Sequence, residues 1–204
     1  MTKHYFTYLA LGDSYAMGEG VPLHESFPYQ VVQLLRKKDI HIHAPEIVAQ
    51  TGWTTLELAE HILHTKFNES YDFVTLLIGV NNQYRGLNAE DYKNDFEFLL
   101  KKALHFADDK NDHVIVLSIP DWSVTPFAKE KDSKKITEEI DILNSINATI
   151  AKQNKVNYIN ITKSTREAAN DPSLIANDGL HPSGKEYAKW AEQIAELIEI
   201  MVND

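Results

Sequence analysis

The sequence predicts an α/β fold organised around a mainly parallel sheet. Three observations carry that prediction. Short β-type runs alternate with longer helical stripes along the whole chain. The clearest β-type runs are almost continuously apolar, as strands covered on both faces require. Glycine-containing turn blocks follow the first and third of these runs and flank the second.

Taken in order, Tyr5 to Leu11 reads as the first strand and ends at Gly12-Asp13-Ser14. Phe27 to Lys37 has a helical pattern with Val31, Leu34 and Leu35 on one side. Ile40 to Ala49 reads as the second strand. Thr55 to His64 reads as a short helix whose Leu56, Ala59 and Leu63 share a face. Phe73 to Ile78 and Val114 to Ile119 are the two compact apolar runs, each with a single hydroxyl residue, Thr75 and Ser118. Between them, Tyr92, Phe96, Leu99, Ala103 and Phe106 recur at steps of four and three, which is a helix stripe. Ile136, Ile140, Leu143, Ile146 and Ile150 repeat that stripe after Asp132-Ser133, a suitable N-cap. Val156 to Ile161 is the last expected strand. Tyr187, Trp190, Ile194, Leu197 and Met201 form the inward face of a C-terminal helix. No linker, low-complexity stretch or repeat interrupts the pattern, so residues 1–204 are expected to form one domain.

Composition narrows the function. Twenty Lys and Arg stand against thirty Asp and Glu, for a formal net charge of −10. Such a body repels phosphate backbones and anionic lipid, so no nucleic-acid partner is expected. The chain has no cysteine, which removes disulfides, thiolate metal sites and cysteine nucleophiles. No apolar run reaches the roughly eighteen residues that span a bilayer, so no membrane span is expected. The N-terminal stretch has no signal-peptide pattern, and a cytoplasmic location is the expectation.

In a parallel sheet the loops that follow the strands gather along one edge. Here those loops hold Gly12-Asp13-Ser14, Gln50-Thr51-Gly52-Trp53, Gly79-Val80-Asn81-Asn82 and, near the C-terminus, Asp178-Gly179-Leu180-His181-Pro182. A Ser, a His and an Asp brought together suggest a nucleophile, a general base and a group that orients the base. Asp178 and His181 share one tight loop, where the carboxylate can reach Nδ1 and leave Nε2 for Ser14. Backbone N–H groups of Ser14 and Gly52, with the Asn81 amide, are the natural donors to an oxyanion. Taken alone, each block has an ordinary structural explanation as a helix cap or a turn. Asp-x-x-His is expected about 0.6 times by chance in this composition and Gly-Asp-Ser about 0.03 times. Their order on successive strand ends is the stronger signal.

That order resembles the SGNH (GDSL) hydrolase superfamily, named for Ser, Gly, Asn and His in four blocks. The matching positions are Ser14, Gly52, Asn81 in Gly79-x-Asn, and His181 in Asp178-x-x-His-Pro. The resemblance implies a three-layer flavodoxin-like sandwich with a five-stranded parallel sheet. It also implies ester hydrolysis through an acyl-enzyme, with no metal and no organic cofactor. It makes Ser14, Asp178 and His181 catalytic, and Ser14, Gly52 and Asn81 the oxyanion hole. Two positions depart from the family pattern. Asn82 stands where many members have Asp, and Tyr15 replaces the Leu of the namesake motif.

Other features read as structural. His41 with His43, and His61 with His64, lack further ligands at metal spacing, so no metal site is expected. Lys129 to Lys135 is a mixed-charge loop and helix start. Trp53, Tyr84, Trp122 and Phe127 fall near the strand-end loops, where they either pack the core or line a pocket. The expected partner is a small ester, or a carbohydrate or lipid ester, and the sequence leaves the oligomeric state open. The competing expectation is a non-catalytic flavodoxin-like module that binds a nucleotide or phosphate. It is weakened because no phosphate-cradling glycine motif occurs.

Overall fold

The computed structural model describes residues 5–203. Its centre is a five-stranded sheet in the order β2-β1-β3-β4-β5, all strands parallel. The strands are β1 (Tyr8–Asp13), β2 (Glu46–Gln50), β3 (Phe73–Leu77), β4 (Val114–Leu117) and β5 (Asn157–Ile159). Every residue of β1, β3 and β4 is buried, which accounts for their continuous apolar runs.

The helices are α1 (Ser14–Met17), α2 (Phe27–Lys37), α3 (Thr55–His64), α4 (Val80–Tyr84), α5 (Ala89–Phe106), α6 (Ser133–Gln153), α7 (Thr162–Thr165) and α8 (Gly184–Asn203). α2 packs on α8 to make one outer layer, while α5 packs on both α3 and α6 to make the other. This is the expected three-layer α/β sandwich. The strand order also fixes where a site forms. From β1 the chain turns to β2 on one side, then crosses back to β3 on the other. The loops leaving β1 and β3 therefore diverge and open a crevice beyond their C-terminal ends.

The boundaries correct three of the expected elements. The second strand starts at Glu46 rather than Ile40, because Pro45 has no N–H to give to a ladder; upstream only an isolated bridge joins Phe6 to Ile42. β1 begins at Tyr8 and extends through Gly12 and Asp13, because Thr7 turns its N–H and hydroxyl to Asp72 Oδ2. β5 keeps only Asn157–Ile159, since Val156 N–H bonds back to the α6 end at Ala151.

The helix faces are mostly as expected, with one exception. Tyr92, Phe96, Leu99, Ala103 and Phe106 are all buried on α5. On α3 the buried residues are Thr55, Leu58, Ala59 and Ile62, whereas Leu56 and Leu63 are 54% and 59% exposed. The helix carries two apolar stripes, and its start decides between them. Thr55 N–H donates to Asn82 Oδ1, and the Thr55 hydroxyl donates to Asp95 Oδ2, which turns Leu58 and Ile62 inward.

Candidate active site

β1 leaves the core at Asp13, whose carboxylate caps α1 by accepting the Tyr15 N–H at 3.0 Å. This strand-to-helix turn puts Ser14 in the first helical position at the mouth of the crevice. From the far end of the chain, the loop before α8 brings in His181. Its Nε2 lies 3.0 Å from Ser14 Oγ, and its Nδ1 lies 2.7 Å from Asp178 Oδ2. With Nδ1–H given to the carboxylate, Nε2 carries a lone pair that accepts from the Ser14 hydroxyl.

The loop itself builds this alignment. Asp178 Oδ1 accepts the N–H groups of Leu180 and His181, folding residues 178–181 into a turn that holds both side chains of the pair. Burial works against the Asp178 charge, but those N–H bonds and the imidazole outweigh it and hold the carboxyl below its ordinary range. Gly20 closes over the carboxylate with a φ of +86°. A Cβ there would stand 2.8 Å from Asp178 Oδ2. Tyr15, the departure from the namesake motif, packs its ring against His181 with centroids 4.9 Å apart.

Across the crevice, Gly52 and Asn81 come from the loops after β2 and β3. Gly52 has a φ of +83°, and its N–H donates to no group among the described residues. Asn81 Nδ2 donates one hydrogen to Trp53 O at 3.0 Å, leaving the second free. Asn82 faces a different way. It is buried against α3, with Oδ1 accepting Thr55 N–H and Nδ2 donating to Thr55 Oγ1 at 2.8 Å.

A pocket of about 150 Å³ borders Ser14 and His181, walled by Val80, Tyr84, Trp122, Phe127 and Leu180. Trp122 is fixed by its indole N–H to Gln83 Oε1 at 2.8 Å, and Tyr84 and Phe127 pack on it from the solvent side. Thus three of the four aromatics singled out in the sequence line the pocket. The fourth, Trp53, packs on His61 instead.

Asp13, the other carboxylate beside Ser14, is not joined to the imidazole. Burial pushes its carboxyl up to about 7, against the opposing pull of the Tyr15 N–H, with Glu19 adding to the rise. His41 and His43 pack against Tyr5, and no group of three or more His, Asp or Glu among the described residues could hold a metal. Asp132 caps α6, with Lys134 and Lys135 paired to Glu138 and Glu139. No helix among the described residues is long and apolar enough to cross a membrane.

Two residues at the site escaped the sequence reading. Gly20 lies between recognisable blocks, with nothing local to mark it. Arg85 stands four residues after Asn81, a helical spacing that could have drawn attention. It reaches across to Gly52.

No curated protein sequence matches this chain. Among solved structures, the chain is similar to the psychrotrophic esterase EstA from Pseudoalteromonas sp., at 17% identity and a TM-score of 0.70, covering 97% of this chain and 99% of that one. It is similar to a lipase/acylhydrolase from Enterococcus faecalis at 17% identity and a TM-score of 0.72, covering 95% of both chains. It is also similar to the acetylxylan esterase Axe2 from Geobacillus stearothermophilus at 15% identity and a TM-score of 0.70, covering 95% and 94%. At such identities these likenesses establish the shared fold. The family itself is established by sequence, because the GDSL-like lipase/acylhydrolase model matches residues 10–189. The chain belongs to the GDSL-like lipase/acylhydrolase family and is a hydrolase that acts on esters.

Proposed function

We propose that the protein hydrolyses carboxylic esters of small acyl groups through an acyl-enzyme on Ser14. The observation that carries this is the unbroken hydrogen-bonded line Asp178–His181–Ser14, at 2.7 and 3.0 Å, beside an apolar pocket. His181 Nε2 takes the Ser14 proton as Oγ attacks the ester carbonyl. The Ser14 and Gly52 N–H groups and the Asn81 amide receive the oxyanion. His181 then passes the proton to the leaving alcohol, the C–O bond breaks, and the acyl group stays on Ser14. A water deprotonated by the same imidazole releases the acid and restores the serine. Asp178 holds the tautomer and balances the imidazolium that forms in each half-reaction.

The pocket supports the small-acyl part of this reading. Its volume of about 150 Å³ equals that of a cavity that takes one benzene molecule. None of its lining residues is Lys or Arg, so it suits an uncharged group. The acetylxylan esterase among the similar structures points the same way. Family membership favours this reading over a nucleotide- or phosphate-binding module. The test is a panel of p-nitrophenyl esters from acetate to palmitate. Turnover should be highest for the shortest chains and fall beyond about six carbons, and a preference for palmitate would contradict the small-acyl reading.

A further inference from the structure

We infer that Arg85 is a positioning residue that fixes the Gly52 oxyanion donor and ties it to the element carrying Asn81. This rests on the oxyanion hole proposed above. Arg85 is the C-cap of α4, so its backbone belongs to the same short helix that presents Asn81. Its guanidinium spans two acceptors. Nη2 donates to Gly52 O at 2.5 Å, and Nη1 donates to Glu57 Oε1 at 3.1 Å.

Glu57 is itself fixed. Its other oxygen accepts the Thr54 N–H at 2.7 Å and the Thr54 hydroxyl at 2.8 Å, in a capping box at the start of α3. Arg85 is therefore anchored at one end on a rigid helix start and holds the Gly52 carbonyl with the other. The planar fork suits this, because its donors sit at a fixed separation and angle, whereas an ammonium on a flexible stem sets no such geometry.

Gly52 needs such a restraint. As a glycine it has more backbone freedom than any other residue, and it sits at φ +83° in a loop with no regular ladder. On its other side, Thr51 is held by its hydroxyl to Glu19. Asn81 Nδ2 holds Trp53 O, one residue further on. Three ties thus fix residues 51, 52 and 53 in turn while the Gly52 N–H stays unpaired. Arg85 is the only one of the three on the Gly52 carbonyl. Both Arg85 contacts go to protein oxygens, Gly52 O and Glu57 Oε1, and Arg85 does not wall the pocket beside Ser14, so its inferred action is on Gly52.

The test uses Arg85→Ala and Arg85→Lys, with p-nitrophenyl acetate and butyrate as substrates. kcat is taken per active site, counted by a fluorophosphonate, well below the melting temperature. Arg85→Ala is expected to lower kcat roughly 10- to 100-fold for both esters alike, with KM within about twofold. Arg85→Lys should recover only part of that loss. Arg85 is exposed, so the fold tolerates its removal. A kcat per site within twofold of wild type would overturn the inference. So would a loss that appears in KM, or one that differs between the two esters. Inactivity of the wild type itself would instead overturn the proposed esterase reaction, which keeps the two failures apart.

Discussion

Asp13 and Asp178 show how environment divides labour between two carboxylates near one serine. Asp178 is a third exposed, accepts two backbone N–H groups and meets His181, so it stays ionised. Asp13 is fully buried, and its carboxyl is pushed up from 3.8 to about 7. The folded protein therefore holds the Asp13 proton more tightly than the unfolded chain does. That stabilisation is complete below about pH 4 and is lost as pH rises through about 7. It amounts to about 4 kcal/mol across the window, at 1.36 kcal/mol per unit. Asn at position 13 keeps an oxygen for the Tyr15 N–H and cannot ionise. Urea melts of Asp13→Asn and wild type at pH 4 to 8 should show wild type losing stability relative to the variant as pH rises; parallel curves would refute the buried titration. Asp178→Asn should behave differently. Its amide would donate to Nδ1 and leave the hydrogen on Nε2, facing Ser14. kcat should fall by roughly 10²-fold or more with little change in melting temperature. Near-normal kcat would reduce the triad to a Ser–His pair.

Among the elements, α4 carries most of the site's organisation in five residues. Adjacent side chains on a helix point about a quarter-turn apart, so Asn81 and Asn82 serve different neighbours. Asn81 reaches Trp53 O and keeps one N–H for the crevice, while Asn82 pins the start of α3. Asn81→Ala should lower kcat by roughly 10²–10³ with a small change in stability. Asn82→Ala would strand the buried Thr55 N–H and cost about 1–3 kcal/mol, seen in the melting temperature more than in kcat. Equal kcat losses at both positions would mean that the loop collapses as a unit. Which of two neighbouring amides faces the crevice cannot be read from composition or spacing. The block order selected Asn81, while the partner of Asn82 emerged only with the fold. The same holds for α3. Its sequence offers Leu56 and Leu63 as readily as Leu58 and Ile62, and contacts from Asn82 and Asp95, 27 and 40 residues away from Thr55, choose between them.

At the scale of the molecule, the parallel sheet was legible because burial on both faces forces continuous apolar runs, and β3 and β4 show them plainly. β2 is half exposed and follows Pro45, so its start was blurred in the sequence. Three of the four blocks were legible because they follow β1, β2 and β3, whose parallel run brings their loops to one edge. The fourth follows no strand directly, lies in the loop before α8, and was marked by its Asp-x-x-His-Pro spacing. Gly20 and Arg85 were not legible, since their value lies in what approaches them from distant segments. Ser14, on the hydrogen-bonded line from Asp178 through His181, is proposed as the group that is acylated. The most direct measurement is intact-protein mass after treatment with a fluorophosphonate, paired with p-nitrophenyl acetate turnover, for wild type and Ser14→Ala. Wild type should take one adduct, mapped to the peptide containing Ser14, with loss of turnover in step with labelling. A Ser14→Ala protein of unchanged melting temperature should show neither adduct nor turnover. An adduct at another serine, or full turnover by Ser14→Ala, would contradict this assignment.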